Sequence, residues 1–104
     1  MIDWMRVTGF DWDEDNARKS ADKHSVSQGE AEQTFFNEPL LVLHDDKHSL
    51  REPRFHALGE TDDRRYLYIT FTFRVGGTLI RVISARDMHR NERLVYDQAK
   101  QNSA

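Results

Sequence analysis

Tyr66-Leu67-Tyr68-Ile69-Thr70-Phe71-Thr72-Phe73-Arg74 alternates without a break. Leu67, Ile69, Phe71 and Phe73 fall on one side of an extended chain; Tyr66, Tyr68, Thr70, Thr72 and Arg74 fall on the other. This is the period-two pattern of a half-buried strand. Val75-Gly76-Gly77-Thr78 supplies a four-residue hairpin loop, and Leu79-Ile80-Arg81-Val82-Ile83-Ser84-Ala85-Arg86 runs back antiparallel. If residue 74 faces 79, then 73 faces 80 and 71 faces 82, which puts Ile80 and Val82 on the apolar face. The opposite face collects Tyr68, Thr70, Thr72, Arg74, Arg81 and Ile83. An arginine in so β-branched a strand must reach water or meet an anion. Arg86 lies an odd number of residues from Arg81, so the two share a face only if a bulge or a helix start near Ser84 to Asp87 intervenes.

Outward from this hairpin, Arg54 to Leu58 reads as a strand ended by Gly59 and a turn around Thr61-Asp62-Asp63, and Leu40 to Leu43 as a short buried strand. Between them His44 to Pro53 forms a polar loop of the length that often carries function or motion. Near the N-terminus a frayed start leads into a short strand at Val7 to Phe10. Asp13 is an N-cap for a polar helix from Glu14 to about Lys23, whose only apolar stripe is Ala17 and Ala21. Ser27, with Glu30 three residues on, is a capping box for a second helix over Gln28 to Phe36, with Ala31, Phe35 and Phe36 as its core face. Asn37-Glu38-Pro39 ends it. Asp87 caps a final helix from Met88 to about Gln101, with Met88, Val95 and Ala99 facing the core. The order predicts an α+β domain in which an antiparallel sheet carries two N-terminal helices and one C-terminal helix on one face and leaves the other face open.

At 104 residues the chain fits one domain, with no composition shift to divide it. Eleven aromatics argue against disorder despite a charged fraction of 32%. With no cysteine, disulfides and thiolate metal sites are excluded, and no apolar run reaches the ~20 residues of a membrane span. A soluble, cytoplasmic protein with no membrane association is expected. The net charge of −3 conceals an asymmetry: the first 52 residues carry six Lys and Arg against twelve Asp and Glu, the last 52 nine against six. Eight of those nine cations are arginine, whose planar fork matches phosphate.

No Gly-rich phosphate loop, zinc-protease helix or Ser/His/Asp arrangement is present. His44 and His48 have a metal-binding spacing but fall in a loop, so neither a metal nor another cofactor is expected. What remains is an open sheet face with Arg74 and Arg81, hydroxyls and Tyr68, and Arg86 just beyond. Arginines bind RNA backbone and stabilise charge on a phosphate under attack, and tyrosines stack on bases. Salt bridges or a solvated edge are the plain alternative for each arginine. His24, at a helix end, suits general acid or base work, or simply answers the helix dipole.

Several short segments recur together: Phe10-Asp11-Trp12-Asp13 with Asn16; Lys23-His24 followed by Val26-Ser27, Glu30-Ala31 and Phe35; Glu52 with Arg54-Phe55 and Gly59; and Ile80 to Arg86 followed by Glu92-Arg93 and Tyr96. In this order and spacing, over about residues 10 to 96, the chain resembles the BrnT-type toxins of bacterial toxin-antitoxin pairs. Ser25 stands where those toxins have a glycine after Lys-His, and Gln28-Gly29 where they have an apolar-acidic pair. The resemblance implies a RelE-like fold and a ribonuclease that cleaves RNA and suppresses translation. It also implies a cognate BrnA-like ribbon-helix-helix antitoxin, with which the toxin represses its own operon and through which alone it meets DNA. Carried over, it marks Lys23, His24, Arg54, Arg81, Arg86, Glu92 and Tyr96, with Arg74 at a common basic strand-end position. Together with the open sheet face this makes Arg74, Arg81, Arg86, His24 and Tyr96 the catalytic candidates and Lys23, Arg54, Glu92 and the face's own Tyr68 the substrate-holding ones. A non-catalytic module that binds antitoxin or nucleic acid is the rival reading.

Overall fold

A computed structural model describes residues 2–48 and 51–103; the side chain of His48, and with it the His44–His48 pairing, lies outside the described residues. A 3-10 turn at Trp4–Arg6 leads to β1 (Gly9–Phe10), α1 (Glu14–His24), α2 (Gln28–Phe36), β2 (Leu41–His44), a second 3-10 turn at Asp46–His48, β3 (Phe55–Glu60), β4 (Tyr66–Arg74), β5 (Leu79–Asp87) and α3 (Arg90–Ser103). The five strands form one sheet in the order β1-β5-β4-β3-β2, antiparallel except for the parallel β1–β5 pair. The α+β class with two N-terminal helices and one C-terminal helix is as expected. The β4–β5 register is too: Arg74 faces Leu79, Phe73 faces Ile80 and Phe71 faces Val82.

Leu67, Ile69, Phe71, Ile80, Val82 and Ala85 are buried together with Ala57 of β3 and with Val26 and Ala31 of the helical layer. Phe71 is the hub of this core, its ring meeting Phe35 edge-on at 5.0 Å, Phe55 at 5.5 Å and Trp4 at 6.3 Å. Within α2 the inward face is Ala31, Thr34 and Phe35, whereas Phe36 is 77% exposed, contrary to its expected core position. One residue is a turn of ~100° in a helix, so Phe35 and Phe36 cannot both face the sheet. Thr34 is fully buried because β3 comes close beside it: a Cβ on Gly59 would stand 2.6 Å from Thr34 Cγ2. Glycine is therefore what lets α2 approach β3.

The anchoring of α1 was not visible in its sequence. Its buried residues are Asn16 and Ser20, not the alanines. β1 pairs with β5 only at Leu79 and Ile80, so the outer edge of β5 would be left without partners beyond that point. Asn16 Nδ2 donates to Val82 O (2.9 Å) and Asp11 O (3.0 Å), and Ser20 Oγ accepts from Ala85 N (2.8 Å). Two polar side chains one helical turn apart thus stand in for a missing strand. Asn16 also completes a capping box with Asp13.

α1 ends at Ser25 in a left-handed conformation (φ 56°), with Ser25 N–H donating to Ala21 O and Val26 N–H to Ser20 O. A side chain in that region is strained, and glycine is not. Ser25→Gly is accordingly expected to stabilise the fold by about 0.5–1 kcal/mol, the strain relieved exceeding the extra entropy glycine loses on folding. Calorimetry should record a rise in Tm of about 2–8 °C.

α3 departs most from expectation. Asp87 is the last residue of β5 and bonds Arg65; it does not cap the helix, which begins at Arg90 with the Glu92 carboxylate accepting from His89 N (2.7 Å). Its anchor is Tyr96, fully buried, while Val95 is 56% exposed. Tyr96 forms a second cluster with Leu58 and Met88, against which Leu41, Tyr66 and Tyr68 pack, and the sheet register places Leu58 and Tyr68 opposite the face that holds Ala57 and Ile69. So α3 covers one end of the second sheet face, while α1 and α2 serve the first.

Candidate active site

Between β4 and β5 the register slips: Phe71 faces Val82 but Thr70 faces Ser84, leaving Ile83 as an extra residue. A bulge of this kind reverses the facing of every residue beyond it. It brings Arg86 opposite Tyr68 and Arg81 opposite Thr72, so that both arginines lie on the face opposite the main core. The change of direction expected near Ser84 occurs one residue earlier.

Sharing a face does not make the arginines one site. Thr72 and Arg74 lie roughly 13 and 20 Å along the strand from Tyr68. Arg81 pairs with Asp13 (2.9 Å) and Asp11 (3.5 Å), where the chain enters α1. Arg74 pairs with Glu52. Arg86 has different company. Its Nη1 and Nη2 bind the two oxygens of Glu92 at 2.8 and 3.0 Å, Nη1 also donates to Asp87 O, and the guanidinium lies over the Tyr68 ring, 4.1 Å from its centroid. These bonds leave Nε–H and the second Nη2–H, the side-on fork that matches two phosphate oxygens.

On the other side of Tyr68, His56 of β3 stacks at 4.9 Å with 29° between planes. Its Nδ1 lies 3.0 Å from Thr70 Oγ1 and its Nε2 3.0 Å from Asp45 Oδ2. The hydrogen bonds hold the imidazole edge-fixed between a hydroxyl and a carboxylate. The Tyr68 hydroxyl, by contrast, makes no hydrogen bond to another described residue and is open to solvent. With Arg86 on one side of its ring and His56 on the other, Tyr68 offers its edge and hydroxyl rather than a stacking surface.

The charges follow from these contacts. The hydrogen bonds from Arg86 hold the Glu92 carboxyl below the ordinary glutamate range, and Glu92 in return raises Arg86. The pair therefore persists as pH falls through the ordinary glutamate range and is lost only below it. Burial, with Glu92 nearby, pushes the Tyr68 phenol above its ordinary value, so it keeps its proton at neutral pH.

Of the residues marked from the sequence, Arg86, Tyr68 and Glu92 come together. Arg54, two residues before His56, falls to the same side by strand alternation, its carbonyl accepting from Asp45 N. His24 and Lys23 are exposed in the last turn of α1, where the His24 carbonyl takes a bond from Arg65. Tyr96 is sealed in the core with its hydroxyl donating to Pro39 O (2.7 Å), and burial drives its pKa far up. That geometry suits an anchor; a proton shuttle needs a route to solvent that this hydroxyl lacks. Neither His56 nor the pairing of His56 with Asp45 carried a functional reading in the sequence. The signal that finds them is the β3–β4 register, since His56 faces Thr70 in the same row as Ser84.

Among the described residues no three His, Asp or Glu side chains gather as a metal-holding group, and no helix is long and apolar enough to cross a membrane. A fork-presenting arginine, a protonated phenol and an imidazole–carboxylate pair thus lie side by side on a half-open sheet face, groups whose chemistry is compatible with a phosphoester. The family comparison agrees in kind: residues 12–92 match the model of BrnT, the ribonuclease toxin of a type II toxin-antitoxin system, and the chain belongs to that family. Asp45, His56, Tyr68, Arg86 and Glu92 all lie within the match. A type II toxin family implies an antitoxin partner. No curated protein matches the chain.

Proposed function

We propose that the chain is a metal-independent endoribonuclease acting in the cytoplasm, which cleaves RNA and thereby inhibits translation. A cognate ribbon-helix-helix antitoxin of the BrnA kind neutralises it, and the complex represses its own operon. The observation that carries the reading is the stack of Arg86, Tyr68 and His56, with Asp45 behind the imidazole and Glu92 behind the guanidinium. RNA needs no metal for cleavage when its own 2′-hydroxyl is the nucleophile. The Nε–H and Nη2–H fork of Arg86 receives the two non-bridging oxygens and meets the charge that grows on them in the transition state. His56, its Nε2–H held by Asp45, takes the 2′-hydroxyl proton at Nδ1 through the Thr70 hydroxyl that bonds that nitrogen, as the 2′-oxygen bonds to phosphorus. The bond to the 5′-oxygen breaks, and the Tyr68 hydroxyl protonates that oxygen as it leaves. Water then returns the imidazolium proton to the Tyr68 phenolate. Arg54 is suited to a neighbouring phosphate; Arg74, Arg81, Lys23 and His24 lie farther off.

The test uses the purified chain freed of antitoxin and given RNA in excess EDTA. Cleavage that continues, and stops when antitoxin is added back, is the expected result. A preparation that binds antitoxin tightly, leaves RNA intact and causes no growth arrest on expression would instead mark a binding module.

A further inference from the structure

The excess arginine of the second half of the chain gathers around a second feature, a groove of about 490 Å³ at the end of the sheet beyond Tyr68. Arg64, Arg65, Arg93 and Lys100 line it, with Tyr66 as its wall and Asp87 and Asp97 as its acids. These cations differ in what they are already doing. Arg65 is spent on the fold: it binds Asp87 at 2.7 and 3.0 Å, Glu30 at 3.1 Å and the carbonyls of His24 and Ser25, tying the end of α1 and the start of α2 to β5. Lys100 bonds Glu60 and the Tyr66 hydroxyl, and that hydroxyl donates to Asp97.

Arg64 and Arg93 remain. Both are exposed, and among the described residues neither forms a contact ion pair, although the charge of Arg93 acts on Asp87 across the groove. Arg64 sits at φ 65°, in the left-handed region, in the turn closed by its own N–H to Thr61 O. The turn thus holds an arginine where glycine or asparagine is the ordinary choice. Arg93 leans over the Tyr66 ring, 5.8 Å from its centroid.

This groove continues the Arg86 site. Glu92 and Arg93 are consecutive residues of the first turn of α3, one holding Arg86 and the other facing Tyr66. Tyr66 and Tyr68 are alternate residues on one sheet face, roughly 7 Å apart. From this juxtaposition we infer that the groove is a subsite for the single-stranded RNA flanking the cut bond, with Arg64 and Arg93 as its phosphate contacts. The inference rests on the ribonuclease reading and names where its substrate runs. An acidic peptide could use the same two charges, but it would have no reason to lie beside Arg86.

The probe is a short fluorescein-labelled 2′-O-methyl oligouridylate, which cannot be cut because its 2′-oxygen is blocked. Its affinity for the full chain is read by anisotropy against salt concentration. For a single strand each phosphate contact contributes ~0.7 to the slope of log affinity on log salt. The double variant Arg64→Ala/Arg93→Ala is therefore expected to lower the slope by about 1.4 and to weaken low-salt binding about tenfold or more. Arg64→Lys/Arg93→Lys keeps the charge and should keep the slope. A double-alanine variant that melts like wild type and binds with an unchanged slope overturns the subsite. So does one that loses antitoxin and holds the probe as before, since the surface is then a protein contact. The readout does not depend on catalysis. A chain that fails to cut RNA but shows the expected slope change refutes the ribonuclease reading and keeps an RNA groove; one that cuts RNA with an unchanged slope does the reverse.

Discussion

Arg86→Ala is expected to lower RNA cleavage by about 10²–10³-fold, the loss that follows removal of a preorganised donor from charge developing in a transition state. Three contacts fix Arg86 before substrate arrives: the two-point pair with Glu92, the bond to Asp87 O and the stack on Tyr68. Its remaining fork would therefore meet a phosphate with little reorganisation. Arg86→Lys keeps a charge but not the fork, and its activity should fall between wild type and alanine. Single-turnover kinetics with saturating RNA measure the effect, since a fall in the maximal rate rather than in affinity alone places Arg86 at the reacting phosphate. An alanine variant that cuts at the wild-type rate removes it from the chemistry.

The largest effect on folding belongs to Phe71→Ala. Phe71 is fully buried and its ring is surrounded by Phe35, Phe55, Phe73 and Trp4. Those partners come from α2, β3, the same strand and the N-terminal turn, so no single movement refills the cavity. The expected cost is about 3–5 kcal/mol, which is a large share of the 5–15 kcal/mol typical of a domain and corresponds to a fall in Tm on the order of 20 °C. Phe36→Ala, at a ring 77% exposed, should stay within about 0.5 kcal/mol. Urea titrations of the two variants separate them; equal losses would contradict the assignment of Phe71 to the core and Phe36 to the surface.

The contrast between those two phenylalanines shows what the sequence could reveal. Local chemistry was readable: the alternation from Tyr66 to Arg74 set the hairpin register, and Asp13 and the Ser27–Glu30 box marked both helix starts. What depended on distant partners was not. Phe35 and Phe36 look alike until Gly59 shows which side of α2 meets β3. Ala17 and Ala21 give α1 too thin an apolar stripe to anchor it, and the edge of β5 calls for Asn16 and Ser20 as hydrogen-bonding groups. Val95 was the apparent apolar anchor of α3, and a tyrosine one residue later took that place.

The site divides in the same way. Arg86, Tyr68 and Glu92 could be marked in advance, and the need for a bulge could be stated from the parity of Arg81 and Arg86. His56 could not be marked, because it gains meaning only from Asp45 across the loop and Thr70 on the next strand. Arg74 and Arg81 looked like partners of Arg86 until their own acids, Glu52 and Asp13, were in view.

If this face cleaves RNA through the RNA's own 2′-hydroxyl, the product ends carry the signature. RNA incubated with the antitoxin-free chain in excess EDTA should yield fragments ending in a 2′,3′-cyclic phosphate and beginning with a 5′-hydroxyl. A single 2′-deoxy substitution at the cut nucleotide should block the reaction. Fragments with 3′-hydroxyl and 5′-phosphate ends, or cleavage that continues past the 2′-deoxy position, would contradict that route.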